Sequence, residues 1–179
     1  TGLAFAYLRQ LGLGRASKPA TVFTIHNLAY QGVFPAELRV RLGLPDVLFH
    51  LNGIEYHGQI SFMKAGLKYA DAITTVSPTY AREITGQEQG CGLDGVLRKR
   101  HNVLHGILNG VDDAVWNPVT DAQVQPGYDA EQLDGKALAK ARLQKEMKLQ
   151  PLKSALLFCV VSRLTAVSYT HLTLPTSDL

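Results

Sequence analysis

Apolar residues recur along the chain in two patterns, one typical of helices and one typical of strands. Helical spacing predicts helices over residues 2–12, 35–42, 61–70, 94–100 and 130–148, and a further helix that begins at residues 77–78. Short apolar runs predict strands over residues 20–25, 72–76, 103–108 and 155–161, and the strands over 20–25 and 155–161 are expected to be buried. Because strands that alternate with helices typically form a parallel sheet, the pattern predicts the α/β class.

Local residue chemistry refines three of these regions. Ser77 and Pro78 predict a helix start, with Ser77 as the N-cap and Pro78 at the first helical position. In the helix predicted over 61–70, the apolar and small residues form one packed face, and Lys64 lies off that face. Residues 43–58 are rich in Gly, Pro, Asn and aromatic residues, which predicts an irregular loop.

Polar residues follow two of the predicted strands at the point where each strand ends. His26 and Asn27 come directly after the first strand, and Asn109 and Gly110 come directly after the third. In open parallel sheets, ligands bind beyond the carboxyl ends of the strands, so this arrangement predicts a ligand site. A strand-end histidine that is hydrogen-bonded to nearby backbone explains His26 equally well, and Asn-Gly is also a general turn signal.

Composition describes a globular chain with few extremes. Hydrophobic residues make up 46% and charged residues 18%, with a net charge of +3 and scattered Lys and Arg, so no nucleic-acid partner is expected. No apolar run approaches the ~18 residues of a membrane helix, so no membrane partner is expected. Cys159 is predicted to lie in the core and Cys91 in an exposed loop. The two cysteines form neither a disulfide framework nor a metal site, which fits a reducing compartment.

Five segments in a fixed order carry a family resemblance. They read Phe23-Thr24-Ile25-His26-Asn27-Leu28-Ala29-Tyr30-Gln31-Gly32, Ser61-Phe62-Met63-Lys64-Ala65-Gly66-Leu67, Ala70-Asp71 to Ser77-Pro78-Thr79-Tyr80-Ala81-Arg82-Glu83-Ile84, Gly106-Ile107-Leu108-Asn109-Gly110-Val111-Asp112 with Trp116-Asn117-Pro118, and Val160-Val161-Ser162-Arg163-Leu164-Thr165. Together they resemble bacterial glycogen synthases and plant starch synthases, which transfer glucose from a nucleotide sugar to a growing α-1,4-glucan. The resemblance covers roughly residues 1–165.

The resemblance implies a retaining glycosyltransferase of the GT-B fold, in which two Rossmann-like domains face each other across a cleft. It implies that residues 1–112 form the C-terminal half of the first Rossmann-like domain and that residues 113–128 cross between the domains. Residues 129–165 then begin the second Rossmann-like domain. The sequence therefore predicts a Rossmann-like parallel sheet that is part of a two-domain fold.

Site roles follow from the resemblance as well. His26 and Arg163 are the predicted catalytic residues, because His26 would line the donor-sugar pocket and Arg163 would bind the diphosphate. A planar guanidinium suits the second task, since it pairs with phosphate oxygens through two parallel hydrogen bonds. The predicted substrate-binding residues are Asn27, Asn109, Gly110 and Asp112.

The resemblance also implies the partners. ADP-glucose is the expected donor substrate, favoured over UDP-glucose by the resemblance alone, and an α-1,4-glucan such as glycogen is the expected acceptor. Neither a cofactor nor a metal ion is expected. The expected location is the bacterial cytoplasm, or the plastid for a plant protein.

The two ends of the chain depart from the family pattern. Residues 166–179 resemble translated cloning or adapter sequence, and Ser168 stands where the family lysine is expected. The chain begins at Thr1, without the family's glycine-rich loop and its lysine. These departures predict an internal fragment that is inactive by itself, with a non-native and unpacked tail.

Two other functional classes stay open at this point. One is a carbohydrate- or nucleotide-binding module without chemistry. The other is a metal-dependent hydrolase that uses His26, Glu55 and His57.

Overall fold

The computed structural model describes residues 2–10, 19–159 and 161, and the chain divides into two compact units, Thr1–Gly110 and Val111–Leu179. Arg163 and the predicted tail over 166–179 lie outside the described residues. The predictions about them stay predictions, as do the predicted domain limits.

The described elements follow one another in chain order. They are α1 (Gly2–Gln10), β1 (Val22–Ile25), β2 (Val33–Pro35), α2 (Leu38–Arg41), β3 (Glu55–Tyr56), β4 (Gln59–Ser61), α3 (Phe62–Tyr69), β5 (Ala72–Thr75), α4 (Pro78–Glu83), α5 (Asp94–Lys99), β6 (Leu104–Gly106) and α6 (Asp134–Glu146), with short 3₁₀ turns at Asp46–Leu48 and His101–Val103.

A parallel sheet of three strands organises the first unit. β5 lies in the middle, with β1 on one side and β6 on the other. Thr24 of β1 pairs with Thr74, and Gly106 of β6 pairs with Thr75. The predicted α/β class and its parallel sheet are therefore confirmed.

Only one face of β1 is buried, although the sequence predicts a strand that is buried throughout. Phe23 and Ile25 point into the core, whereas Val22 is 56% exposed and Thr24 is exposed as well. On the exposed face, the hydroxyls of Thr24 and Thr74 lie 2.8 Å apart in a hydrogen bond across the two strands. Successive side chains of a strand alternate between faces, so an apolar run alone does not establish burial on both.

Helix α3 lies between the two hydrophobic clusters of the first unit. Leu67 belongs to the cluster under the parallel sheet. Ala65 belongs to a second cluster, which includes residues of α1 and of strand β4. Gly66 permits this close packing, because a Cβ there would lie 2.6 Å from the ring of Phe23. The predicted packed face of this helix is thus confirmed, and its glycine sits against β1.

A small antiparallel sheet, in the order β2-β4-β3, replaces two features that the sequence predicts. Pro35 ends strand β2 rather than opening a helix, and the helix expected over 35–42 is reduced to α2. Within the region predicted to be irregular, Tyr56 pairs with Gln59. Strands of two or three residues carry too little periodicity to be read from sequence, so this sheet was missed.

Lys64 is buried, with 5% of its surface exposed, although the sequence placed it off the packed face of α3. Its ammonium donates to the carbonyl oxygens of Leu51 at 2.8 Å and of Glu55 at 2.5 Å. Lys64 therefore holds residues 51–55, which precede β4, against helix α3. A charged side chain can lie in a protein interior when its donors are satisfied in this way.

The predicted start of α4 is confirmed. The Ser77 hydroxyl accepts from the Tyr80 amide at 2.9 Å, and Pro78 is the first residue of α4. Ser61 caps α3 in the same manner, accepting from the Lys64 amide at 3.1 Å. Each cap satisfies one of the free amides at a helix start, which requires only residues close in sequence.

The second unit contains the predicted helix as α6, but not the predicted strand over 155–161. Residues 155–159 and 161 have no strand conformation, and Phe158 is 87% exposed. Cys159, predicted to be a core residue, is exposed. An apolar run becomes a strand only when another strand satisfies its backbone groups, and none does so among the described residues of this unit.

Among the residues described, no helix combines the length and the apolar character needed to cross a membrane.

Candidate functional site

The carboxyl ends of the three parallel strands lie at one edge of the sheet. β1 ends at Ile25, β5 at Thr75 and β6 at Gly106. The buried hydroxyl of Thr75 donates to the Ile25 carbonyl at 2.9 Å, and the Ile107 amide donates to the Thr75 carbonyl at 2.8 Å. These bonds hold the strand ends in register at the edge where ligands bind in folds of this kind.

His26 leaves β1 at this edge and exposes its imidazole. The ring makes no hydrogen bond among the described residues, so the alternative of a histidine bonded to nearby backbone is not what the structure shows. The imidazole is free to act as donor or acceptor toward a ligand. Neighbouring residues, rather than contacts of the ring, fix the position of this histidine.

A tight turn follows His26. The Asn27 side-chain oxygen accepts from the Ala29 amide at 2.9 Å, which is the local turn that asparagine favours. Leu28 is fully buried under the sheet. Its amide donates to the Tyr80 hydroxyl at 3.1 Å. Asn27 thus serves the turn through its oxygen, while its side-chain NH₂ has no partner among the described residues.

Tyr80 is a residue of this site that sequence analysis missed. The capped start of α4 places its ring against the core under the parallel sheet, and its hydroxyl reaches the turn 52 residues earlier in the chain. The available signal was its place in the segment Ser77–Ile84, where capping explained Ser77 and Pro78 but not the tyrosine. The structure gives Tyr80 the task of holding the turn after His26.

Removing the Tyr80 hydroxyl is expected to loosen this turn. We expect Tyr80→Phe to lower the free energy of unfolding of the chain by about 1 kcal/mol, because the Leu28 amide loses its acceptor. Urea unfolding followed by circular dichroism measures the change. Tyr30→Phe is the matched control, since Tyr30 is 69% exposed and its hydroxyl has no partner among the described residues. Equal stabilities of the two variants would contradict the assigned contact.

The far end of the same segment is fastened to a second loop. The Gln31 side-chain NH₂ donates to the Cys91 carbonyl at 2.6 Å, and the Tyr56 hydroxyl donates to the same carbonyl at 2.9 Å. Cys91 is exposed, as predicted, and its backbone has a φ of 48° in the left-handed region. The segment over 26–32 is therefore held at both ends, by Tyr80 at one and by Cys91 at the other.

The remaining predicted site residues occupy different places. Asn109 and Gly110 are exposed beyond β6, at the same sheet edge as His26. Asp112 belongs to the second unit, where its carboxylate accepts from the amides of Ala114 at 3.1 Å and Val115 at 3.2 Å. These bonds make Asp112 a turn residue. Arg163 lies outside the described residues.

Metal ligation has no basis in the part of the chain that the structure describes. No group of three His, Cys, Asp or Glu there could hold a metal ion. The Glu55 carboxylate accepts from the Gly58 amide at 2.8 Å, and the ring of His57 packs edge-on against Tyr56. The hydrolase alternative built on His26, Glu55 and His57 therefore lacks the grouping that it needs.

Comparison with known proteins gives consistent results. The family model described as "Starch synthase catalytic domain" matches residues 1–99. The glycogen synthase of Albidiferax ferrireducens is 57% identical over 172 residues, covering 96% of this chain and 35% of the relative. The glycogen synthase of Leptothrix cholodnii is 58% identical over 173 residues, covering 96% of this chain and 36% of the relative. The chain thus spans about a third of the length of these relatives.

A solved structure matches as well. The catalytic domain of starch synthase IV from Arabidopsis thaliana, bound to ADP and acarbose, superposes with a TM-score of 0.69 at 31% identity. The match covers 87% of this chain and 31% of that chain. Together with the parallel sheet, this likeness confirms the prediction of a Rossmann-like sheet that is part of a GT-B fold.

Proposed function

The chain belongs to the starch synthase catalytic domain family, and we propose that it supplies the donor-sugar side of a retaining glucosyltransferase. The reaction moves glucose from ADP-glucose to the non-reducing end of an α-1,4-glucan such as glycogen. The observation that carries the proposal is the exposed imidazole of His26 at the carboxyl edge of the sheet, on a turn that Tyr80 holds through the Leu28 amide at 3.1 Å.

The proposed chemistry breaks one bond and forms another. The bond between the glucose anomeric carbon and the diphosphate oxygen breaks, and its electron pair stays on the departing ADP. A hydroxyl oxygen of the glucan forms the new bond to the same carbon, and its proton passes to a diphosphate oxygen of the departing ADP. The anomeric configuration is kept.

Three residues of this chain would serve such a reaction. His26 and the free amide NH₂ of Asn27 would bind the sugar and fix it against the sheet edge, which supplies rate through positioning. Arg163 would offset the negative charge that develops on the diphosphate. Asn109, Gly110 and Asp112, which follow β6, are proposed to contact the substrate.

Substrate and location are part of the proposal. The starch synthase IV structure is bound to ADP and acarbose, which supports an ADP-linked donor and a glucan acceptor here. We propose that no cofactor takes part besides the donor substrate. Both cysteines in the described residues are unpaired, which supports a reducing compartment such as the bacterial cytoplasm.

A chimera tests the proposal. Residues 1–165 of this chain replace the aligned segment of the A. ferrireducens glycogen synthase, to which the chain is 57% identical. We expect glucose incorporation into glycogen from ADP-glucose within about tenfold of the parent enzyme, which corresponds to ~1.4 kcal/mol in the barrier. Radiolabelled ADP-glucose gives the rate, and UDP-glucose at equal concentration tests the nucleotide.

Three controls sharpen the experiment. The unaltered relative sets the full rate, and a chimera that carries the same segment in reverse order sets the background. The 179-residue chain alone is expected to transfer no glucose. A folded chimera that binds ADP-glucose but transfers no glucose would favour the binding-module alternative over the transferase.

A further inference from the structure

A cleft of about 220 Å³ opens on the first unit, away from the edge that carries His26. Lys64, Lys68 and Lys99 line it, together with Asn52, Leu51 and Val96. Lys68 precedes β5 and Lys99 precedes β6 by a few residues, so both lie toward the amino ends of the parallel strands. The cleft is therefore distinct from the proposed donor site at the carboxyl ends.

The three lysines differ in how their charges are satisfied. Lys64 is only 5% exposed, and it gives two of its three donors to the carbonyls of Leu51 and Glu55. Its third donor has no partner among the described residues. Lys68 and Lys99 donate to no protein acceptor in the described part of the chain. The cleft thus combines one fixed buried ammonium with two adjustable ones.

Carboxylates near the cleft balance these charges only in part. Asp94 is engaged by Arg98 at 2.7 Å, so Glu55 is the carboxylate that acts on Lys64. Burial lowers the pKa of Lys68, and the charges of Lys99 and Arg100 lower it further. Burial also lowers the pKa of Lys64, with Glu55 opposing that change and Lys68 adding to it. Positive charges therefore repel one another here, and a bound anion would relieve that repulsion.

We propose that this cleft binds a phosphate group of a small molecule, held by Lys64, Lys68 and Lys99. A phosphate dianion accepts hydrogen bonds on several oxygens at once, and lysine ammonium groups bind it as point charges. A volume of about 220 Å³ accommodates a phosphate with a small substituent. Leu51 and Val96 provide an apolar wall for that substituent.

The arrangement distinguishes this ligand from a polyanion. Nucleic-acid sites spread their cations along a face or groove so that successive phosphates are met. Here three lysines line one small cleft, and the chain carries a net charge of only +3. A single phosphate group fits this geometry.

Calorimetric titration of the 179-residue chain with inorganic phosphate and with phenyl phosphate tests the proposal. We expect saturable binding with a dissociation constant of about 1 mM or tighter, and a rise in the thermal midpoint of at least ~2 °C at saturation. Sodium chloride at equal ionic strength is expected to give no such rise. Tighter binding of phenyl phosphate would indicate a phosphate monoester as the ligand, and tighter binding of inorganic phosphate would indicate free phosphate. Either result supports the site.

Two double variants locate the binding. Lys68→Gln with Lys99→Gln is expected to weaken phosphate binding at least tenfold, while retaining the buried Lys64. Lys145→Gln with Lys153→Gln removes the same charge from exposed lysines of the second unit and is expected to leave binding unchanged. Far-UV circular dichroism checks that each variant is folded. If a double variant does not fold, its two single variants are measured instead. Equal weakening in both pairs, or no weakening in the first, would overturn the proposal.

Discussion

Gly106→Ala is expected to lower the free energy of unfolding of the chain by about 3 kcal/mol, at the upper end of the usual cost of overpacking. A Cβ at this position would lie 2.2 Å from the Ser77 carbonyl oxygen and 2.4 Å from the backbone nitrogen of Pro78. These are backbone atoms at the start of α4, where the helix cap fixes them. No side chain can rotate away, so β6 or α4 must shift.

Gly110→Ala is the matched control for this prediction. A Cβ at Gly110 would meet nothing within 4 Å, and we expect its effect on stability to stay within ~0.5 kcal/mol. Urea unfolding of both variants, followed by far-UV circular dichroism, gives the two free energies. A stability loss below ~1 kcal/mol for Gly106→Ala would show that α4 can move away from β6 at little cost.

His26→Ala in the chimera is expected to reduce kcat for glucose transfer by roughly 10²- to 10³-fold, the usual effect of removing one well-placed transition-state contact. The imidazole is exposed at the sheet edge, and its backbone is held by the buried neighbours Ile25 and Leu28. Because the ring makes no hydrogen bond among the described residues, its removal should leave the thermal midpoint within ~2 °C of the parent chimera.

His105→Ala provides the control for the loss of a histidine. His105 is exposed in the middle of β6, and its ring has no partner among the described residues. We expect this variant to retain kcat within about twofold, which is ~0.4 kcal/mol in the barrier. If His26→Ala kept a kcat close to that of the parent chimera, His26 would have no role in glucose transfer.

Features that depend on neighbouring residues could be predicted from the sequence. Helix α3 follows from its periodic apolar face, and the start of α4 follows from the cap at Ser77, which acts over three residues. The parallel sheet follows from the alternation of strands and helices. The sheet edge was also predictable, because polar residues that end parallel strands share one edge whatever the details of packing.

Contacts within the site were less predictable. Tyr80 and Leu28 are 52 residues apart, and Gln31 and Cys91 are 60 residues apart. Nothing in either local sequence identifies its partner. The sequence therefore located His26 and Asn27, whereas the residues that hold their turn became visible only in the structure.

By itself, the sequence determined the α/β class, the start of α4 and the placement of His26 at a strand end, because each rests on periodicity or on hydrogen bonds between near neighbours. Tertiary structure alone decided that Lys64 is buried, that β2, β3 and β4 pair, and that residues 155–159 form no strand. The physical reason is shared by all three. A buried ammonium needs carbonyl acceptors and a strand needs a neighbouring strand, and parts of the chain outside the element itself must supply both.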